Sequence, residues 1–112
     1  MKFLFSLFLS FFTVYTLTIR SSFAQEIDLD AGAQVFTDHC AACHVGGNNV
    51  VNPLKTLQLE VLHEFQKDSI EAIKLQVQNG AGGMPAFGDK LSDEEISNVA
   101  NFVLNTSKNN SW

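Results

Sequence analysis

The chain has 112 residues, 46% of them apolar, and a formal net charge of −5, values that fit one small domain. Twelve carboxylates against seven basic residues argue against binding to nucleic acid or to anionic membrane surfaces. The same excess of acid favours basic protein partners; the alternative is that it only keeps a small domain in solution.

The first 24 residues differ in composition from the rest of the chain. They hold six of the ten phenylalanines and two charged residues, which flank an apolar run from Phe3 to Ile19. Ser22 and Ala24 occupy the −3 and −1 positions that a signal peptidase requires to be small, so we predict a signal peptide over residues 1–24 and a mature domain over residues 25–112. An uncleaved membrane anchor is the alternative, although the run is barely long enough to span a bilayer. Cleavage leaves a net charge of −7.

The mature chain shows helical periodicity and no strand pattern, which predicts an all-α domain of four helices. The first helix begins at the carboxylates of residues 28–30 and runs into Cys40. Gly32 inside this helix costs up to about 1 kcal/mol, so we expect another helix to cross it closely. The second helix spans Leu57 to Phe65, with Thr56 as its N-cap.

A glycine-rich loop, residues 80–88, separates the third and fourth predicted helices. The third begins at residues 68–69 and ends at Gly80, which suits a left-handed C-cap. The fourth begins at Ser92, where Glu95 completes a capping box. The loop contains too much glycine for a helix or strand, and we expect it to fold around a bound group. The side chains expected to face the core are Val35, Phe36, Leu57, Val61, Leu62, Phe65, Ile70, Ile73, Val77, Ile96, Val99, Ala100 and Val103.

Residues 40–44 read Cys-Ala-Ala-Cys-His and are the main chemical signal in the chain. In this pattern the thiols of Cys40 and Cys43 add to the haem vinyl groups, and the imidazole of His44 lies under the iron. A thioredoxin-type dithiol would need an α/β pattern, and a zinc site would need a second ligand pair. A disulfide two residues apart would close almost no loop. We therefore predict one covalently bound haem c, which would also strengthen the thin core of a small domain.

Met84 is the predicted sixth iron ligand, because it is the single methionine after residue 24 and lies 40 residues beyond His44. Pro85 fixes the backbone that presents its sulfur. A thioether opposite an imidazole raises the potential and closes both axial positions, so we expect electron transfer and no enzyme activity. A methionine that only fills the core is the alternative. We interpret His39 and His63 as solvated.

Gln76 lies at the margin of the apolar stripe formed by Ile70, Ile73 and Val77. A buried amide at this position would point at the haem or at the loop that carries Met84. A solvated glutamine is equally compatible with the spacing.

The sequence over residues 26–112 resembles the cytochrome c6 family. The resemblance is carried by Asp28-Leu29-Asp30-x-Gly32, Val35-Phe36, Cys40-Ala-Ala-Cys-His44-x-Gly46-Gly-Asn-Asn49, Lys55-Thr56-Leu57, Gln76-Val77-Gln78-Asn79-Gly80, Met84-Pro85-Ala86-Phe87-Gly88 and Trp112. It implies a class I cytochrome c fold, with about four helices around one haem. It also implies a monomeric one-electron carrier from cytochrome f of the cytochrome b6f complex to photosystem I in the thylakoid lumen.

Two residue roles follow from the resemblance alone. Gln76 is expected to lie against the haem. Many family members have Phe-Gly-Gly-Arg-Leu where this chain has Phe-Gly-Asp-Lys-Leu at residues 87–91. The basic docking role of that arginine is therefore assigned to Lys90.

Other functional classes stay open at this point. A signal peptide without a longer transit region fits a plastid-encoded algal protein or a bacterial one, with no membrane insertion after cleavage. A bacterial periplasmic cytochrome that donates electrons to a terminal oxidase is the alternative in the same class. A haem enzyme such as a peroxidase would need an open axial position, and a thiol–disulfide enzyme would carry no haem.

Overall fold

The computed structural model describes residues 26–112, and the helices in that range follow the order of the predicted ones with one short addition. They are α1 (Leu29–His39), α2 (Ala41–His44), α3 (Leu59–Glu64), α4 (Ile70–Asn79) and α5 (Asp93–Asn109), with a 3-10 turn at Val45–Gly47. Residues 26–112 contain no strand, only an isolated bridge between Ala81 and Met84. No helix among them is long and apolar enough to cross a membrane. The predicted signal peptide, residues 1–24, lies outside the described residues.

Helices α1 and α5 cross at Gly32, as the glycine in mid-helix predicted. A Cβ built on Gly32 would lie 2.7 Å from the carbonyl carbon of Asn98, so only a glycine lets the two backbones approach this closely. The Asp28 amide donates to Asn98 Oδ1 at 3.0 Å, and the rings of Phe36 and Phe102 pack with centroids 5.4 Å apart. This crossing fixes the start of α1 and thereby the direction in which the helix delivers Cys40.

Helices α4 and α5 begin where their sequences predicted, and α4 also ends at the predicted glycine. Ser69 caps α4 through its side chain. Gly80 ends the helix with a φ of 63° and a ψ of 179°, a positive-φ conformation that differs from the predicted left-handed helical cap. Ser92 and Glu95 form the expected capping box at the start of α5. The core lies between these two helices and α1, and its buried apolar side chains include Val35, Phe36, Ile73, Val77, Ile96, Val99, Ala100 and Val103.

The prediction for the second helix is wrong at both ends. Helix α3 starts at Leu59 with Gln58 as N-cap, while the Thr56 hydroxyl only accepts the Gln58 amide proton at 3.3 Å in a turn. Phe65 does not face the core: it is 39% exposed, and the Lys55 ammonium lies 5.0 Å from its ring centroid. Leu57 stays out of the helix because its amide donates to the Gly47 carbonyl at 2.8 Å.

Candidate functional site

The cysteine–histidine motif lies on a single helical turn. Cys40 ends α1, and its carbonyl accepts the amide protons of Cys43 at 3.1 Å and of His44 at 2.9 Å. These two bonds hold the backbone of the three residues in one helical turn, although the turn α2 is too short to be predicted from periodicity. Both cysteines are half-buried free thiols in the structure.

The environment of Cys40 disfavours a thiolate. Burial, and secondarily the neighbouring Cys43, raises the pKa of the Cys40 thiol to about 11. Enzymes that exchange disulfides need a lowered thiol pKa at the attacking cysteine. The raised pKa of Cys40 therefore argues against its use as the attacking thiol of a thiol–disulfide enzyme.

The His44 ring has one nitrogen committed to the protein. Its Nδ1 lies 2.8 Å from the main-chain carbonyl oxygen of Asn48, and because a carbonyl only accepts, Nδ1 carries the ring proton in this contact. The lone pair of Nε2 is then free to bind a metal, and the bond to the carbonyl fixes the orientation of the ring. Sequence reasoning missed Asn48, since nothing local marks a backbone acceptor.

Met84 is presented by a tight loop that follows α4. The Ala81 and Met84 backbones exchange two hydrogen bonds, at 3.1 and 2.9 Å, and a Cβ on Gly80 would lie 2.5 Å from the Met84 carbonyl oxygen. Beyond it, the Phe87 amide donates to the Val77 carbonyl at 2.9 Å and returns the chain to α4. Glycine is therefore required at position 80 both for its positive φ and for space.

Gln76 contacts the sulfur of Met84. Its Nε2 lies 3.8 Å from Met84 Sδ, within the range of an amide donor bonded to sulfur, and both residues are half-buried. The structure thus places the Gln76 amide at the predicted ligand loop, one turn before α4 ends.

The segment after the 3-10 turn links the two halves of the site. The Val50 amide donates to the Cys43 carbonyl at 3.0 Å, and Val51 packs so closely on Gly83 that a Cβ there would lie 2.7 Å from Val51 Cγ1. The chain that follows the cysteine–histidine turn therefore touches the loop that carries Met84.

Several apolar side chains near the site are exposed to solvent. Val50 and Val51 are 61% and 60% exposed, Leu54 is 80% exposed, and Leu75, next to Gln76 on α4, is 56% exposed. A flat, apolar macrocycle is the kind of group that would cover such side chains. Together with two thiols, an imidazole with a free nitrogen and a thioether, these residues fit haem c.

The remaining candidate residues lie on the surface. Lys90 is exposed, and its Nζ lies 5.5 Å from the ring centroid of Phe87, which also lies 6.0 Å from the His39 ring. The side chain of His63 is 80% exposed and lies 2.8 Å from Asp68 Oδ2, and this hydrogen bond is the main reason that the pKa of Asp68 is lowered. Residues 26–112 contain no cluster of three or more His, Cys, Asp or Glu side chains that would hold a metal ion.

A helical domain with a Cys-x-x-Cys-His turn, a free imidazole nitrogen and a methionine on a neighbouring loop has the features of a c-type cytochrome. Residues 27–103 match the family model described as "Cytochrome C oxidase, cbb3-type, subunit III". A cytochrome c6 of Gracilaria tenuistipitata var. liui is 52% identical over 96 residues, which cover 86% of this chain and 87% of the relative. A cytochrome c6 of Picosynechococcus sp. is 49% identical over 92 residues, 76% of this chain and 79% of the relative.

Solved structures agree with the sequence relatives. The crystal structure of cytochrome c6 from the diatom Phaeodactylum tricornutum has a TM-score of 0.72 and 48% identity, and the match covers 73% of this chain and 97% of that one. The chain belongs to the cytochrome c6 family. It has the class I cytochrome c fold, binds haem c covalently and carries electrons.

Proposed function

We propose that Cys40 and Cys43 hold the haem through thioethers and that His44 and Met84 are its axial ligands. The observation that carries this proposal is the His44 ring, whose Nδ1 is held by the Asn48 carbonyl at 2.8 Å while Nε2 is left free. When bound, haem supplies a one-electron iron couple.

The protein side chains around the site favour electron transfer over ligand binding. The 80–88 loop holds Met84 in place by its two bonds to Ala81, and the Gln76 amide lies against the sulfur at 3.8 Å. A ligand held from two sides exchanges less readily with small molecules that would compete for the sixth position. The proposed carrier therefore has no substrate of its own and is not an enzyme.

The proposed donor is cytochrome f of the cytochrome b6f complex, and the proposed acceptor is photosystem I. The proposed location is the thylakoid lumen of an algal plastid or a cyanobacterium, reached after cleavage of residues 1–24. Support comes from the algal and cyanobacterial origin of relatives named cytochrome c6 and from the net charge of −7 after residue 24, which suits a basic docking site. Lys90, exposed above Phe87, is the proposed cationic contact.

A bacterial carrier that feeds a terminal oxidase is the second candidate. The observation in its favour is the family model, whose description names an oxidase subunit. The acceptor distinguishes the two candidates: the reduced protein is offered photosystem I particles in one assay and a bacterial terminal oxidase in the other. Oxidation by the oxidase alone would overturn the proposed partner.

The ligand set is tested by adding carbon monoxide to the reduced haem-loaded protein at neutral pH. Because His44 and Met84 fill both axial positions, we expect the visible spectrum to stay unchanged. Formation of a carbon monoxide complex in the unaltered protein would mean that the sixth position is open, as in a haem enzyme.

A further inference from the structure

Trp112 is the single tryptophan of the chain and its last residue, and it folds back onto the site. Asn110 caps the end of α5 with a left-handed backbone and a φ of 49°, and the Ser111 amide donates to the Thr106 carbonyl at 3.0 Å. This pair of features is a helix C-cap that reverses the chain direction. The reversal brings the Trp112 ring to within 5.4 Å of the Phe36 ring, centroid to centroid.

The indole of Trp112 contacts the segment that follows the cysteine–histidine turn. A Cβ built on Gly47 would lie 2.5 Å from Cγ of Trp112, so the ring rests directly on the Gly47 backbone. The indole Nε1 donates to the Leu57 carbonyl at 3.2 Å, and the Leu57 amide donates to the Gly47 carbonyl at 2.8 Å. We call these contacts of Trp112 with Gly47 and Leu57 the C-terminal clamp.

The C-terminal clamp lies next to the acceptor for the His44 ring. Asn48, whose carbonyl accepts the Nδ1 proton at 2.8 Å, directly follows Gly47 in the chain. Gly47 has no Cβ and therefore more backbone freedom than other residues, which its φ of 73° uses, so contacts from other parts of the chain are needed to hold it in one conformation. The contacts on both sides of Gly47 meet this need.

We propose that Trp112 is a positioning residue for the proximal ligand: by fixing residues 47–48 it holds the Asn48 carbonyl on Nδ1 of His44. The inference rests on the proposed role of His44 as an iron ligand and goes beyond it by assigning a function to the last residue of the chain. The expected consequence of losing the clamp is a more frequent opening of the hydrogen bond between His44 and Asn48, with the haem still attached.

The test is the hydrogen-exchange rate of the His44 Nδ1 proton, measured by NMR in the reduced haem-loaded protein. In Trp112→Leu, which keeps an apolar side chain but loses the indole plane and its N–H, we expect exchange at least about tenfold faster than in the unaltered protein. Ile96→Val, a change at a fully buried position at the other end of α5, is the matched control for a general loss of stability.

The global unfolding free energy of each variant separates a local effect from a general one. We expect the acceleration in Trp112→Leu to exceed what its own loss of global stability accounts for, and the acceleration in Ile96→Val not to exceed it. If the faster exchange in Trp112→Leu is fully explained by its lower free energy of unfolding, the proposal is overturned. If that variant does not fold, Trp112→Phe is measured instead, because it keeps an aromatic ring but lacks the indole N–H that donates to Leu57 and part of the ring area on Gly47. We expect exchange a few times faster in this variant, and an unchanged rate would overturn the proposal.

A failure of the underlying ligand assignment has a different signature. If His44 were not an iron ligand, its ring protons would lack the large haem-induced shifts already in the unaltered protein. If the His44 ring protons show these shifts but the Trp112 variants leave the exchange rate of the Nδ1 proton unchanged, the role of Trp112 is rejected and the ligand assignment still holds.

Discussion

Met84 depends on its own loop for its position, so its replacement should affect the iron and little else. In Met84→Ala we expect the haem to stay attached through Cys40 and Cys43, the sixth position to open and the midpoint potential to fall. The measurement is the sulfur-to-iron charge-transfer band of the ferric protein, which should disappear. A band that persists in the variant would show that another group is the ligand.

Gln76 directs the positive end of its amide dipole at the Met84 sulfur over 3.8 Å. This orientation draws electron density from the ligand and disfavours the ferric state, so Gln76→Val should lower the midpoint potential by several tens of millivolts, where about 60 mV equals about 1.4 kcal/mol for one electron. Gln78→Val is the matched control on the same helix and should change the potential very little. Equal shifts of the midpoint potential in both variants would contradict the claim that Gln76, and not Gln78, acts on the Met84 sulfur.

At the scale of elements, the crossing of α1 and α5 should tolerate no side chain at Gly32. A Cβ there would meet the Asn98 backbone at 2.7 Å and Phe102 Cβ at 2.9 Å, and a backbone cannot move aside as a side chain can. We expect Gly32→Ala to lower the free energy of unfolding by about 1–3 kcal/mol or more, measured by denaturant titration. Gln34→Ala, at an exposed position of the same helix, should stay within about 0.5 kcal/mol of the unaltered protein, and a similar loss in both variants would argue against the crossing as the cause.

Elements with local signals were predictable from the sequence. Capping side chains and periodic apolar residues determine α1, α4 and α5, and each begins at its expected cap. The error at α3 has a tertiary cause. The Leu57 carbonyl accepts from the Trp112 indole N–H at 3.2 Å and shares the Ser107 hydroxyl with the Val103 carbonyl, so residues 50 and 55 positions away hold Leu57 in the loop. Helix α2 is one turn long and carries too little periodicity to detect.

The residues of the candidate site also fall into two groups: those that local sequence predicts and those that depend on the fold. Cys40, Cys43 and His44 follow from a pentapeptide, and Met84 follows from its single occurrence after residue 24. The acceptor at Asn48 and the support from Trp112 depend on backbone positions that only the folded chain brings together.

At the scale of the whole molecule, the charge of −7 after residue 24 predicts steering toward a basic partner. The rate of electron transfer to photosystem I should fall as salt rises beyond about 0.1 M, where the screening length is about 10 Å. A rate that stays flat or climbs steadily from low to high salt would argue against steering by opposite charges.

Lys90 is expected to act differently from the other cations. It is exposed above Phe87, whereas Lys108 lies in the last turn of α5. Lys90→Glu should therefore slow transfer more than Lys108→Glu, although both variants change the net charge equally. If only total charge mattered, the added negative charge would speed encounter with a basic partner equally in both variants, and equal effects would therefore mean that Lys90 has no docking role.

Flash-induced oxidation of the reduced haem-loaded protein by photosystem I particles, followed at the haem absorption band, tests the proposed function most directly. We expect fast one-electron oxidation of the unaltered protein, with a rate that rises with its concentration. A reduced protein that photosystem I leaves unoxidised, with its His44 and Met84 ligation intact, would contradict the assignment as a carrier to that acceptor.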